Sequence, residues 1–130
     1  MARLQDKSIL VVDDDASMLR SLNKVLRNEG AAVTCADWAG EAIEVLTRRR
    51  SRTDLVITDL RMPFLTGTTL LYAIHEIFPL LPVIVLTAFG SPEVKAVCRE
   101  QGAAAFLEKP LDTAHLLEVI QRVLASARSG

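Results

Sequence analysis

The chain has 130 residues, half of them apolar and 24% charged. That suits one domain with a substantial core and excludes a disordered chain. Its net charge of −1 creates no global field toward nucleic acid or an anionic membrane, so direct binding to either is not expected.

Met1 to Lys7 lacks the apolar run of a signal peptide. The uncharged stretch between Glu76 and Glu93 is interrupted by Pro79, Pro82 and Pro92 and falls short of a membrane span. Cys35 and Cys98 form no CxxC pattern. They read as reduced, apolar fillers, which predicts a cytoplasmic protein. Ser8–Val12 shows no polar alternation and reads as a strand buried on both faces. Met18, Leu19, Leu22, Val25 and Leu26 then line one helical face, and Gly30 closes that helix. Ala32–Ala36 is a weaker strand, followed by a helix marked by Ala42, Ile43, Val45 and Leu46 that runs into Arg48, Arg49 and Arg50. Cations at a helix C-terminus suit the macrodipole, so these arginines read as a solvated helix end.

Leu55–Thr58 is the third strand. Thr66 is placed to cap a third helix striped by Leu70, Leu71, Ile74 and Ile77. Val83–Leu86 is the strongest strand. Ser91 and Pro92 open a fourth helix, as cap and first helical residue, and Gly102 ends it. Ala104–Leu107 is a short fifth strand, and Leu116, Leu117, Ile120, Val123 and Leu124 stripe the last helix. Five βα units in a row predict an α/β fold with a parallel sheet, helices on both faces and right-handed crossovers. The domain is expected to cover residues 1–127, with 128–130 a tail or the start of a linker.

In such a sheet, ligands sit beyond the carboxyl ends of the strands. The first strand runs into Asp13, Asp14 and Asp15, the third into Asp59, the fourth into Thr87 and Ala88, the fifth into Lys109 and Pro110. Like charges crowded at a strand end favour protonation unless a cation joins them. With the first and third strands as neighbours, Asp13, Asp14 and Asp59 converge into a hard-cation site. It suits Mg²⁺ with retained waters, with Mn²⁺ as the alternative. Asp15, the third acid, reads instead as a solvated residue or the cap of the first helix. A metal held by carboxylates and water leaves room for phosphate oxygens, with Lys109 as a second cation, Thr87 as a hydroxyl donor and Asp59 as a nucleophile toward phosphorus.

These residues resemble the receiver domain of two-component response regulators over nearly the whole chain. The matching motifs are Val12-Asp13-Asp14, Asp59-Leu60-Arg61-Met62-Pro63, Leu86-Thr87-Ala88 and Lys109-Pro110, in the family's order and spacing. The resemblance implies a doubly wound, flavodoxin-like (βα)5 fold with strand order 2-1-3-4-5. It implies that Asp59 accepts a phosphoryl group from a phosphohistidine on a histidine kinase or phosphotransfer protein. It further implies that Asp13, Asp14, Asp59 and the backbone carbonyl of Arg61 hold Mg²⁺, that Lys109 contacts the phosphoryl group, and that the Lys109–Pro110 peptide is cis. Thr87 and Phe106 would form the switch. The face of the fourth helix, fifth strand and fifth helix would then meet an effector or attached output domain, and phosphorylation would promote a homodimer there. Such a domain is no enzyme beyond its own phosphorylation and slow dephosphorylation.

Some positions depart from the family pattern. Phe64, Leu65 and Thr66 stand where the family commonly has Gly, an apolar residue and Asp before a glycine, here Gly67, and Phe64 and Leu65 are expected on the rim of the site, where they would dock a kinase or phosphotransfer protein or merely pack the loop. Phe106 lacks the hydroxyl of a tyrosine. Arg61 and Phe89 occupy positions that modulate phosphate lifetime in the family, and a bulky Phe89 predicts a lifetime of minutes or longer. The wording around Asp59 and Thr87 resembles receivers attached to AAA+ transcriptional activators. Two rival readings remain. Asp13-Asp14-Asp15-Ala16-Ser17 also resembles the motif of small aspartate-nucleophile phosphatases, which would leave Asp59 idle. The other rival is a flavodoxin-like binding module that is never phosphorylated, although no Gly-rich phosphate loop is present.

Overall fold

The computed structural model describes residues 3–48, 52–60, 67–88 and 90–129. Five strands and five helices alternate: β1 (Ser8–Val12), α1 (Ala16–Asn28), β2 (Ala32–Ala36), α2 (Ala39–Thr47), β3 (Leu55–Asp59), α3 (Gly67–Ile77), β4 (Val83–Thr87), α4 (Pro92–Glu100), β5 (Ala105–Glu108) and α5 (Thr113–Ser129). The strands form one parallel sheet in the order β2-β1-β3-β4-β5. This is the doubly wound α/β architecture that the alternation of elements predicts.

The inner strands read as unbroken apolar runs because both faces are covered. Ile9, Val11, Ile57, Ile84 and Leu86 pack with Leu22 and Leu26 of α1 and Leu116 and Ile120 of α5. The alternate residues Leu10, Val12, Val56, Val83 and Val85 pack with Ala39 and Ala42 of α2, Leu70 and Ile74 of α3, and Cys98 of α4. The period of two along each strand sends successive side chains to opposite cores. Among the described residues, no helix is long and apolar enough to cross a membrane.

The element ends differ from the sequence expectation at four places. β3 and β4 each continue one residue further, through Asp59 and Thr87. A polar side chain ends an apolar run in the sequence, but both residues are buried here and still belong to the ladder. β5 starts at Ala105 instead of Ala104 and reaches Glu108, since Ala104 serves the turn and donates its N–H to Val83 O. α5 continues through Arg128 and Ser129, because nothing before Gly130 breaks a helix. Thr66, Arg49 and Arg50 lie outside the described residues.

α1 and α4 end in the same way. Gly30 N–H donates to Arg27 O and Ala31 N–H to Leu26 O. Gly102 N–H donates to Arg99 O and Ala103 N–H to Cys98 O. Both are Schellman caps, with glycines at φ 95° and 96°. At Gly102 a Cβ would in addition stand 2.7 Å from His75 Nδ1 of α3. Gly30→Ala is expected to cost about 1 kcal/mol of stability through backbone strain, and Gly102→Ala distinctly more. Urea melts of the two variants side by side check this. Equal losses would show that His75 yields without cost.

Candidate functional site

The strand order sets β1 beside β3 and β3 beside β4, with β5 at the edge. Their carboxyl ends gather the residues that the sequence singled out. Asp13 leaves β1 with its N–H donated to Ala36 O, 3.1 Å away. Its side chain is almost fully buried (the residue is 1% exposed). Asp13 Oδ1 accepts the N–H of Asp15 at 2.9 Å, and Oδ2 accepts from Lys109 Nζ at 3.1 Å. The same ammonium lies 3.3 Å from Asp59 Oδ1. Lys109 is held in place by its own N–H, which donates to Thr87 O at 2.7 Å. The Lys109–Pro110 peptide bond is cis.

The three consecutive acids divide their roles. Asp14 is exposed at the rim, and one oxygen each from Asp13, Asp14 and Asp59 lie within 4.8 Å of one another. Asp15 turns away and caps α1, where its Oδ1 accepts the N–H groups of Ser17 at 2.9 Å and Met18 at 3.4 Å. Three carboxylates thus face one ammonium. The electrostatics reflect that excess. Burial and then the charge of Asp13 push the Asp59 carboxyl above its ordinary range, and Lys109 and the Leu60 N–H offset this only in part. Burial pulls the Lys109 ammonium down, but the Asp13 hydrogen bond and the charges of Asp13 and Asp59 outweigh it and hold the group above its ordinary value. An all-oxygen donor set with surplus negative charge fits a hard divalent cation such as Mg²⁺.

Thr87 is buried at the end of β4. Phe106 is half-buried on β5, in register with Val85. Arg61 and Phe89 lie outside the described residues, as do Phe64 and Leu65. The sequence reading passed over Gly90. A Cβ there would stand 2.9 Å from both Glu108 Oε1 and the Phe106 ring. Only a glycine lets the loop after Thr87 lie this close to the aromatic, and a glycine just beyond a strand end is the signal for such an approach.

Comparison with known proteins agrees with this geometry. Residues 9–121 match the model of the response regulator receiver domain. The transcriptional regulatory protein GlrR of Escherichia coli is 40% identical over 116 residues, covering 89% of this chain and 26% of that protein. The DNA-binding transcriptional regulator NtrC of the same organism is 35% identical over 123 residues, 94% of this chain and again 26% of that protein. This chain therefore spans about a quarter of the length of these relatives. Among solved structures, a CheY-like receiver domain protein of Methanospirillum hungatei superposes with a TM-score of 0.89 at 32% identity, covering 95% of this chain and 97% of that one. NtrX of Brucella abortus gives 0.85 at 30% identity, over 93% of this chain and 27% of that one. By sequence and fold alike, this chain belongs to the response regulator receiver domain family.

Proposed function

We propose that this receiver is a phosphorylation-driven switch in which Asp59 accepts a phosphoryl group from a phosphohistidine of a histidine kinase or phosphotransfer protein. One observation carries the reading: oxygens of Asp13, Asp14 and Asp59 converge within 4.8 Å while Lys109 bridges Asp13 and Asp59. In the transfer, an Asp59 carboxylate oxygen forms a bond to phosphorus, the phosphorus–nitrogen bond breaks, and the imidazole leaves with its electron pair and takes up a proton.

Asp13, Asp14 and Asp59, with the Arg61 carbonyl, would hold Mg²⁺, which when bound supplies positive charge for the phosphoryl oxygens. Lys109 exchanges a carboxylate contact for a phosphoryl contact, and Thr87 donates its hydroxyl to the new group. Positioning and charge stabilisation are the main needs of phosphoryl transfer. Phe106 then repacks, and the α4–β5–α5 face biases a partner or an attached output domain. The names of GlrR and NtrC as transcriptional regulators support an output domain of that kind. The domain acts on itself and turns over no external substrate.

The test is intact mass after incubation with Mg²⁺ and a small acyl-phosphate donor. One phosphoryl group is expected on the wild type, and none on Asp59→Asn or in the presence of a chelator. An adduct that persists in Asp59→Asn would refute Asp59 as acceptor.

A further inference from the structure

The connection from α3 to β4 reads Phe78-Pro79-Leu80-Leu81-Pro82, without a charged or hydrogen-bonding side chain. Turns ordinarily draw on Gly, Asn, Asp and Ser as well as Pro. This one closes when Leu81 N–H donates to Phe78 O at 3.0 Å. Pro79 takes the second position, where its fixed φ suits the turn. Leu80 is thereby held at the tip, and at 89% exposure it is the most exposed large apolar side chain among the described residues. One exposed leucine is ordinary, but this one borders a hollow of about 540 Å³ lined by Ile77, Phe78, Leu81 and Leu124, with Lys7 and Asp54 beside them. Ile77 is itself half exposed. The hollow lies at the amino ends of β1, β3 and β4, the pole opposite Asp13, Asp59 and Thr87.

We infer that this pole pairs with a second copy of the chain, Leu80 of each copy seating in the hollow of the other. A protrusion beside a hollow is complementary to its own image turned through 180°, which gives a closed, two-fold pair. The charges favour a second copy over another partner. Among the described residues Lys7 has no carboxylate within ion-pair distance. Asp54 Oδ1 lies only 3.7 Å from the exposed Arg52 guanidinium and stays open to a second cation. Lys7 of each copy can therefore meet Asp54 of the other. A surface that meets itself needs both signs, because a single sign would repel its image. Nucleic acid or an anionic membrane would call for a cationic surface instead. The stiff turn also limits the entropy lost when Leu80 is seated. The contact uses neither α4 nor β5 and leaves both phosphoryl sites at the outer ends of the pair, so it is independent of phosphorylation.

Sedimentation equilibrium of the full chain tests this from roughly 10 μM to 1 mM, a range that suits a small contact. A monomer–dimer equilibrium is expected, the same with and without acyl phosphate and Mg²⁺. Leu80→Glu should weaken it by roughly tenfold or more, since a carboxylate would have to enter an apolar hollow. Lys7→Glu should weaken it most at low salt, where the pole becomes a patch of one sign. Tyr72→Glu replaces another exposed apolar side chain, on α3 and outside the hollow, and should associate like the wild type. Matched thermal melts confirm that the variants are folded. A wild type that stays monomeric throughout, or a dimer untouched by Leu80→Glu, would overturn the inference. So would a dimer that forms only with acyl phosphate, which would place the contact on the α4–β5–α5 face. Mass that keeps growing with concentration would mean an open chain of copies and refute the reciprocal seating. Monomers that sediment with uncharged lipid vesicles, but not after Leu80→Glu, would assign the turn to a membrane surface and equally overturn the pairing.

Discussion

Lys109→Met is expected to lower the unfolding free energy by about 3 kcal/mol at neutral pH in chelator, the scale of removing one partner from a buried ion pair. Methionine keeps most of the apolar stem, so the loss reports on the ammonium. Lys109 Nζ is shared between Asp13 Oδ2 at 3.1 Å and Asp59 Oδ1 at 3.3 Å, and the Asp13 side chain is only 1% exposed. Without the ammonium, two buried carboxylates face each other. The pH dependence gives the sign. Asp59 is already held above its ordinary value of 3.8 by burial and by Asp13. A raised carboxyl makes no unfavourable contribution below pH 3.8, and the penalty develops as the pH rises through its folded value. Removing Lys109 leaves both raising causes in place and takes away an opposing one, so the deficit should be full at pH 7 and shrink as the pH falls toward 4. The contribution of Lys109 itself runs the other way. Its raised ammonium stabilises the fold fully below 10.5 and loses that effect only as the pH rises through the still higher folded value. Urea melts across this range check the prediction. A deficit independent of pH would mean that Lys109 acts through packing alone. Mg²⁺ should restore much of the lost stability, since it supplies charge at the same carboxylates.

The parallel sheet was legible in the sequence because runs such as Ile9–Val12 and Val83–Leu86 are buried on both faces, which leaves no polar residue to interrupt them. Their ends were less legible, because Asp59 and Thr87 are polar yet buried in the ladder. The convergence of Asp13, Asp14 and Asp59 followed once β1 and β3 were taken as neighbours, a matter of topology and not of any single residue. The division of labour within Asp13–Asp15 stayed open in the sequence, since an acid before a helix can cap it or face solvent. The bridge from Lys109 to Asp13 spans 96 positions and depends on a side-chain conformation that no local pattern encodes. The contacts of Gly90 with Phe106 and of Gly102 with His75 are of the same kind.

Asp59→Asn is expected to make the protein more stable than wild type in chelator and less stable in saturating Mg²⁺. In the metal-free fold the Asp59 carboxyl is held above its ordinary range, so its neutral form is the one the site favours. An asparagine is a neutral group of nearly the same shape. It removes the repulsion with Asp13 and leaves Lys109 its 3.1 Å contact to Asp13. The metal reverses the order. A ligand present at about a hundred times its dissociation constant stabilises the native state by about 2.7 kcal/mol. A site with one carboxylate fewer binds a hard cation more weakly and gains correspondingly less. Thermal melts of both proteins, with chelator and across a Mg²⁺ titration, should therefore cross. Curves that never cross, with the variant below the wild type throughout, would make Asp59 a structural partner of Lys109 and not a strained acid in a cation site. Curves that cross without Mg²⁺-dependent stabilisation of the wild type would keep the strain but remove the metal. The crossing depends on stability alone and needs no phosphoryl donor, so it tests the electrostatic design of the site independently of its chemistry.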